Sequence, residues 1–224
     1  MKRIVLNNIN AKGEMTPAQY KSKYGNAMHS LNVDGGSVLV KDCKFGQNGY
    51  NCIEIGLNAS IEPPKSVEII NCDFTGVLTN NAILIFATQP GASITIKNCH
   101  FASVSNVLRI SNRTAAAGIN VTIEDCVVDK WDANPQYAGF FILEDYTSKN
   151  MGEYEEANRF GPDKLSINIK GLIHNGKPVA PENVEDYLNC NNANQIGYIY
   201  IDNVAADYRY PDYDPDIFPE ITIK

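Results

Sequence analysis

The stretch SITIKNCHF at residues 93–101 decides how this chain folds, because close copies of it recur along the sequence. The copies are SVLVKDCKF at residues 37–45, SVEIINCDF at residues 66–74 and NVTIEDCVV at residues 120–128. Successive cysteines of these four copies lie 29, 27 and 27 residues apart. A nearly constant period in this range is typical of proteins that stack one structural unit on the next.

Weaker copies extend the repeat towards both ends of the chain. They are RIVLNNI at residues 3–9, SINIKGL at residues 166–172 and YIYIDNV at residues 198–204. The fragment EITIK at residues 220–224 begins like one more copy. Together with the four strong copies, they predict about seven stacked rungs and a stub.

Each copy alternates apolar and polar residues with the period of a β-strand that has one buried face. In the copy at residues 93–101 the inward side chains are then Ile94, Ile96 and Cys99. The alternation breaks at Lys97 and Asn98, which predicts a turn there. The second residue after each strong-copy cysteine points inward again, so we expect a stack of Phe45, Phe74 and Phe101.

A second short strand follows each strong copy, at residues 52–55, 82–85, 107–110 and 139–143. The outward positions of these strands are predicted to be Glu54, Leu84, Arg109 and Phe141. Two apolar residues in an outward column indicate either a cover, formed by a loop or a neighbouring subunit, or scattered apolar residues on the surface.

The residue before each cysteine forms a bend column, which contains Asp42, Asn71, Asn98, Asp125 and Asn203. Asn and Asp tolerate the dihedral angles of tight turns, and stacked amides can hydrogen-bond along the stack. We therefore expect a structural role for this column. The stacked cysteines are expected to be buried free thiols, because side chains in neighbouring rungs seldom meet disulfide geometry.

The Asn/Asp-Cys bends at residues 42–43, 71–72, 98–99 and 125–126, with the apolar columns around them, resemble those of right-handed parallel β-helix proteins of the pectate-lyase-like class, including phage tailspikes. The resemblance implies an all-β chain that forms a single-chain right-handed parallel β-helix (a solenoid) of about seven rungs, with short helices in its insertions. The predicted β-helix domain covers residues 1–204, and an acidic segment rich in Tyr and Pro covers residues 205–224.

Three insertions interrupt the repeat, at residues 10–36, 129–163 and 173–197. Insertions in a solenoid map to loops, which often form the binding face. Residues 16–25 carry an N-cap Thr, a Pro at the first helical position and a closing Gly, which predicts a short helix. Residues 181–188 are a second helix candidate.

Candidate catalytic groups are few. Enzymes with this fold use paired carboxylates, or a base with Ca²⁺. The carboxylates of the regular rungs are Glu54, Glu68, Asp73 and Glu124. Asp73 and His100 occupy one column on adjacent rungs and can form an acid–base pair, although such a pair also arises easily by chance. Asp212, Asp214 and Asp216 are spaced to hold a cation, but a solvated acidic segment is the preferred interpretation. We expect no catalytic residue, no metal site and no cofactor.

The net charge of −7 disfavours a nucleic-acid partner, because binding the phosphate backbone requires a basic surface. No run of residues approaches the length of a membrane span, and the first residues lack the apolar core of a signal peptide.

The resemblance implies a non-enzymatic structural and interaction protein of a phage virion, either a tail, a fibre or a capsid-associated component. It would be made in the host cytoplasm and would dock on other virion subunits through its loops and C-terminal segment. Trimers are common among such spikes, so a homo-oligomer is compatible with this role. The alternative is a pectate-lyase-like protein that binds or degrades host surface polysaccharide. The candidate partner or glycan contacts are the aromatic residues Trp131, Tyr137, Tyr146, Tyr208, Tyr210 and Tyr213.

Overall fold

The computed structural model describes residues 3–7, 10–11, 31–33, 35–46, 52–56, 61–131, 139–144, 163–183, 197–200 and 220–224. These residues are almost entirely β-strands and the bends between them. The strands are β1 (Arg3–Asn7), β2 (Asn10–Ala11), β3 (Leu31–Val33), β4 (Ser37–Lys41), β5 (Lys44–Phe45), β6 (Ile53–Ile55), β7 (Ser66–Ile70), β8 (Asp73–Ile85), β9 (Ser93–Lys97), β10 (His100–Ser111), β11 (Ile119–Glu124), β12 (Val127–Val128), β13 (Phe141–Glu144), β14 (Leu165–Lys170), β15 (Ile173–His174), β16 (Lys177–Pro178), β17 (Gly197–Tyr200) and β18 (Glu220–Ile223).

The first strands of the repeat units form one parallel sheet, sheet A. Its order is β1-β4-β7-β9-β11-β14-β18, so that strands one period apart in the sequence are neighbours. The pairing keeps one register: Ser66 pairs with Ser37 on one side and with Ser93 on the other. The prediction that matching residues lie over one another in successive rungs is therefore confirmed for this sheet.

The remaining strands form sheet B, which has 11 strands in two adjoining columns. One column runs from β2 through β5 and the first halves of β8 and β10 to β12 and β15. The other runs from β3 through β6 and the second halves of β8 and β10 to β13 and β17. All these pairs are parallel, whereas the short pair β15–β16 is antiparallel.

The two sheets bury their inward faces in one hydrophobic core. The alternation of sheet A supplies Val67, Ile69, Ile94 and Ile96, all at most 1% exposed. Sheet B adds the predicted phenylalanine stack. The ring centroids of Phe45 and Phe74 are 4.9 Å apart, and those of Phe74 and Phe101 are 4.7 Å apart.

The bend column has the structural role predicted for it. Asp42, Asn71, Asn98 and Asp125 all adopt the left-handed conformation, with φ between 51° and 54°. The Nδ2 of Asn71 donates to the Oδ1 of Asp42 over 3.0 Å, and the Nδ2 of Asn98 donates to the Oδ1 of Asn71 over 3.2 Å. Side-chain amides therefore link successive turns, as in a ladder.

The cysteines beside this column are buried free thiols, as are all the described cysteines. Each stacked thiol donates to backbone carbonyls, for example Cys99 Sγ to the carbonyl of Ile69 over 3.4 Å. Hydrogen bonding with Cys126 and Cys72, together with burial, raises the pKa of the Cys99 thiol. A protonated thiol in this position behaves as a small apolar side chain.

The copy at residues 198–204 was wrongly predicted to start a rung of sheet A. Its strand, β17, pairs with β13 in sheet B, where Tyr198 lies opposite Ile142. The seventh strand of sheet A is instead β18, within the fragment at residues 220–224 that is predicted to be a stub. An alternating pattern is shared by every strand of the repeat, so it does not by itself decide which column a strand joins.

Phe141 was wrongly predicted to face outward. It pairs with the core residue Leu108 and is itself fully buried, whereas Ile142 pairs with Arg109 in the outward column. The residue opposite Arg109 is therefore at position 142, one residue later along the chain than the comparison of the repeat copies predicts. The outward column is covered in part, because Glu54 and Leu84 are each only 3% exposed.

The three insertions contain strands that continue the columns of sheet B. Strands β2 and β3 lie within residues 10–36, β13 lies within 129–163, and β15 and β16 lie within 173–197. The helix predicted at residues 16–25 and the bend at Asn203 fall outside the described residues. Of the helix predicted at residues 181–188, the structure describes a 3-10 helix over Pro181–Asn183.

Candidate functional site

The structure brings the predicted pair of Asp73 and His100 together on the outside of sheet B. The two residues begin β8 and β10 and lie opposite each other in the parallel pairing. Their outward direction follows from alternation, since the next residues, Phe74 and Phe101, are buried in the core. The Nδ1 of His100 lies 2.9 Å from the Oδ1 of Asp73.

A third member, Asp129, was missed by the sequence analysis. Its Oδ2 lies 2.9 Å from the Nε2 of His100, so the imidazole is held between two carboxylates. Asp129 follows the copy at residues 120–128 and lies one rung further along. The repeat could have indicated this residue, because Val127 occupies the position opposite His100. Alternate residues of a strand point to the same face, so Asp129 lies on the same outward face as Val127.

The electrostatics of this Asp73–His100–Asp129 cluster favour a charged imidazole. Burial lowers the pKa of His100, but the hydrogen bonds and charges of Asp129 and Asp73 outweigh it, so the pKa lies above the ordinary value of 6.5. The side chains remain accessible to water, with 40% of His100, 33% of Asp73 and 53% of Asp129 exposed.

The arrangement is better suited to holding rungs together than to proton transfer. A general base needs a free nitrogen within reach of the substrate proton. Here each ring nitrogen of His100 already faces a carboxylate. The cluster connects β8, β10 and the residue after β12, and so links three successive rungs of sheet B.

The other predicted carboxylates do not join this cluster. Glu54 is buried in the outward column of sheet B, opposite Leu84. Glu68 and Glu124 lie on the outer face of sheet A. Glu124 accepts from Lys97 over 2.9 Å and pairs with Lys170 over 3.4 Å. The hydrogen bond from Lys97 lowers the pKa of Glu124, so this residue also links neighbouring strands through charge.

Trp131 is the one predicted aromatic contact that lies among the described residues. It is 1% exposed, its ring stacks on His174 with centroids 3.5 Å apart, and it meets the ring of Phe140 edge-on at 5.9 Å. The structure therefore places the ring of Trp131 in the hydrophobic core.

The remaining predicted contacts lie outside the described residues. They are Tyr137, Tyr146, Tyr208, Tyr210 and Tyr213, together with the acidic residues Asp212, Asp214 and Asp216.

Within the described residues, no three His, Cys, Asp or Glu side chains are arranged to hold a metal ion. The same residues form no helix of the length and apolarity that crossing a bilayer requires. Comparisons with protein-family models, curated proteins and solved structures find no match to this chain.

Proposed function

We propose that the chain is a single-chain right-handed parallel β-helix that serves as a non-enzymatic structural and interaction component of a phage virion. Other virion subunits are its proposed partners, and the segments at residues 129–163, 173–197 and 205–224 are its proposed docking regions. The proposal follows the resemblance of the repeat to β-helix spikes.

The observation that carries the proposal is the unbroken register of sheet A. From β4 to β14, each strand pairs with the next in one register over its length. The inward residues form continuous columns of Val and Ile in the core. Opening a strand within such a stack breaks its backbone hydrogen bonds to the neighbours on both sides, which favours a rigid rod that survives outside a cell.

The polar side chains on the outside support a structural role as well. The amides of the bend column, the pair of Lys97 with Glu124 and the Asp73–His100–Asp129 cluster each connect one rung to the next. These groups satisfy one another across rungs, so their described contacts serve cohesion of the stack.

Mass spectrometry of purified phage particles tests this proposal. Particles from a lysate that contains the chain are banded by density, washed in high salt and digested. We expect peptides of this chain in the particle band, at a constant ratio to the major capsid protein before and after the wash. Recovery of the chain only in the soluble fraction would contradict the proposal.

A measurement of polysaccharide cleavage distinguishes the enzymatic alternative. The purified protein is incubated with surface polysaccharide of the host, and released reducing ends are measured. We expect no release above the level of the heat-denatured protein. Release that disappears in Asp73→Asn but persists in the control Glu68→Gln would replace the structural proposal with an enzymatic one.

A further inference from the structure

His100 differs from the other outward residues of sheet B in its position between two carboxylates from different rungs. Asp73 belongs to the preceding rung and Asp129 to the following one. Both contacts are 2.9 Å long, and they involve different ring nitrogens. Among the described contacts, the imidazole is the group that connects the two carboxylates.

Protonation decides how many of these contacts are hydrogen bonds. An imidazolium carries two N–H groups, so it can donate to both Asp73 and Asp129. A neutral imidazole carries one N–H, and the lone pair of its other nitrogen then faces a carboxylate oxygen. Loss of the proton therefore removes one hydrogen bond and leaves a repulsive contact in its place.

We propose that His100 is a pH-operated clamp that holds three successive rungs together when it is protonated and releases one of them when it is neutral. In acid the imidazolium bridges Asp73 and Asp129. When it becomes neutral, one carboxylate turns to water, which the exposure of all three side chains permits. The neutral form therefore holds two rungs together instead of three. The strands of sheet B that carry the cluster then open more often.

Among the described residues, two lysines, a histidine and an arginine are charged or titratable groups around the cluster. Lys44 lies opposite Asp73 in the parallel pairing of β5 with β8, and Lys130 follows Asp129 in the sequence. On β15, His174 lies opposite Val128 and stacks on Trp131. On β10 itself the next charged residue after His100 is Arg109, in the second column of sheet B.

The release is expected to be local, because backbone bonds hold the same rungs independently of the clamp. The N–H of Asp129 donates to the carbonyl of Phe101 over 2.9 Å, and the N–H of Val104 donates to the carbonyl of Lys130 over 3.0 Å. These bonds form in both charge states of His100, but they open more often when the clamp is released. The clamp thus changes how often the outer strands open, while the stack persists.

Nuclear magnetic resonance of the His100 ring protons tests the assignment in the intact chain. We expect the titration midpoint of His100 to lie above 6.5 and to fall in Asp73→Asn, in Asp129→Asn and further in the double variant. A midpoint at or below 6.5, or one unchanged by both substitutions, would overturn the clamp.

Hydrogen exchange provides a second measurement, which does not rely on carboxylate variants. Protection of the amides of Asp129 and His100 is compared with that of Ile167 from about pH 5 to about pH 9, after correction for the intrinsic rate. We expect protection to fall in the wild type as the pH rises through the titration of His100, and no such fall in His100→Gln, whose side chain does not titrate. Equal pH profiles of both proteins would refute the proposal.

Discussion

Ile96 lies on the inward side of β9 and has none of its surface exposed. We expect Ile96→Asp to abolish folding, because it buries a charge with no partner at a cost of about 4 kcal/mol or more. The matched control is Thr95→Asp, whose side chain is half-buried on the outer face of the same strand. Circular dichroism and gel filtration of both variants check the result. A soluble, folded Ile96→Asp protein would contradict the inward placement.

The amide ladder of the bend column stops at Asp125, which has no side-chain N–H to donate back to Asn98. Each preceding amide donates to the oxygen one turn earlier. We expect Asp125→Asn to extend the ladder and to raise the free energy of unfolding by about 0.5–1 kcal/mol, the value of one exposed hydrogen bond. Asn also retains the left-handed conformation of this position.

Urea unfolding measures this gain, and Asn98→Ala provides the opposite change. That variant removes the donor to Asn71 together with a side chain suited to positive φ, so it should lower the unfolding midpoint. A midpoint for Asp125→Asn at or below that of the wild type would show that the ladder adds no stability at this turn.

At the scale of elements, the features that recur in each copy of the repeat were the ones best predicted from the sequence. The alternation and the cysteine spacing located the strands of sheet A and the bends at Asn71 and Asn98, because each of these depends on neighbours within a few residues. The column that a strand or side chain joins depends on the length of the loop that precedes it. The predictions for Phe141 and for the copy at residues 198–204 were wrong for this reason. Asp129 was missed for two reasons. It follows the last residue of the copy at residues 120–128, and its contact with His100 runs diagonally between rungs, because Val127 is the residue directly opposite His100.

The phenylalanine stack is the element-scale feature with the largest expected energy. Phe74 lies between Phe45 and Phe101 and is fully buried. We expect Phe74→Ala to cost about 3–5 kcal/mol, because it removes two ring contacts and leaves a cavity inside the stack. Phe74→Leu retains most of the apolar volume and should cost less. Equal unfolding midpoints for the two variants would contradict the cavity argument.

At the scale of the whole molecule, parallel stacking makes each rung bind its two neighbours through equivalent surfaces. Ser66 pairs with Ser93, and Ser93 pairs with Asn120, in one continuous register. Phe74 lies opposite Phe101, which lies opposite Val128. Each rung therefore offers the following rung a contact surface similar to the one that it contacts on the preceding rung, as in other repeat architectures.

A complete rung should consequently be removable. Deletion of residues 93–119, the 27 residues from the start of β9 to the residue before Asn120, joins Ala92 to Asn120. We expect a folded protein in which β7 pairs with β11 and Phe74 packs on Val128, with a lower unfolding midpoint because one interface between rungs is lost. Deletion of residues 93–105 removes half a rung and brings a sheet B strand into the place of a sheet A strand, so it should not fold. Circular dichroism and thermal unfolding compare the two deletions, and failure of both to fold would mean that neighbouring rungs are not interchangeable.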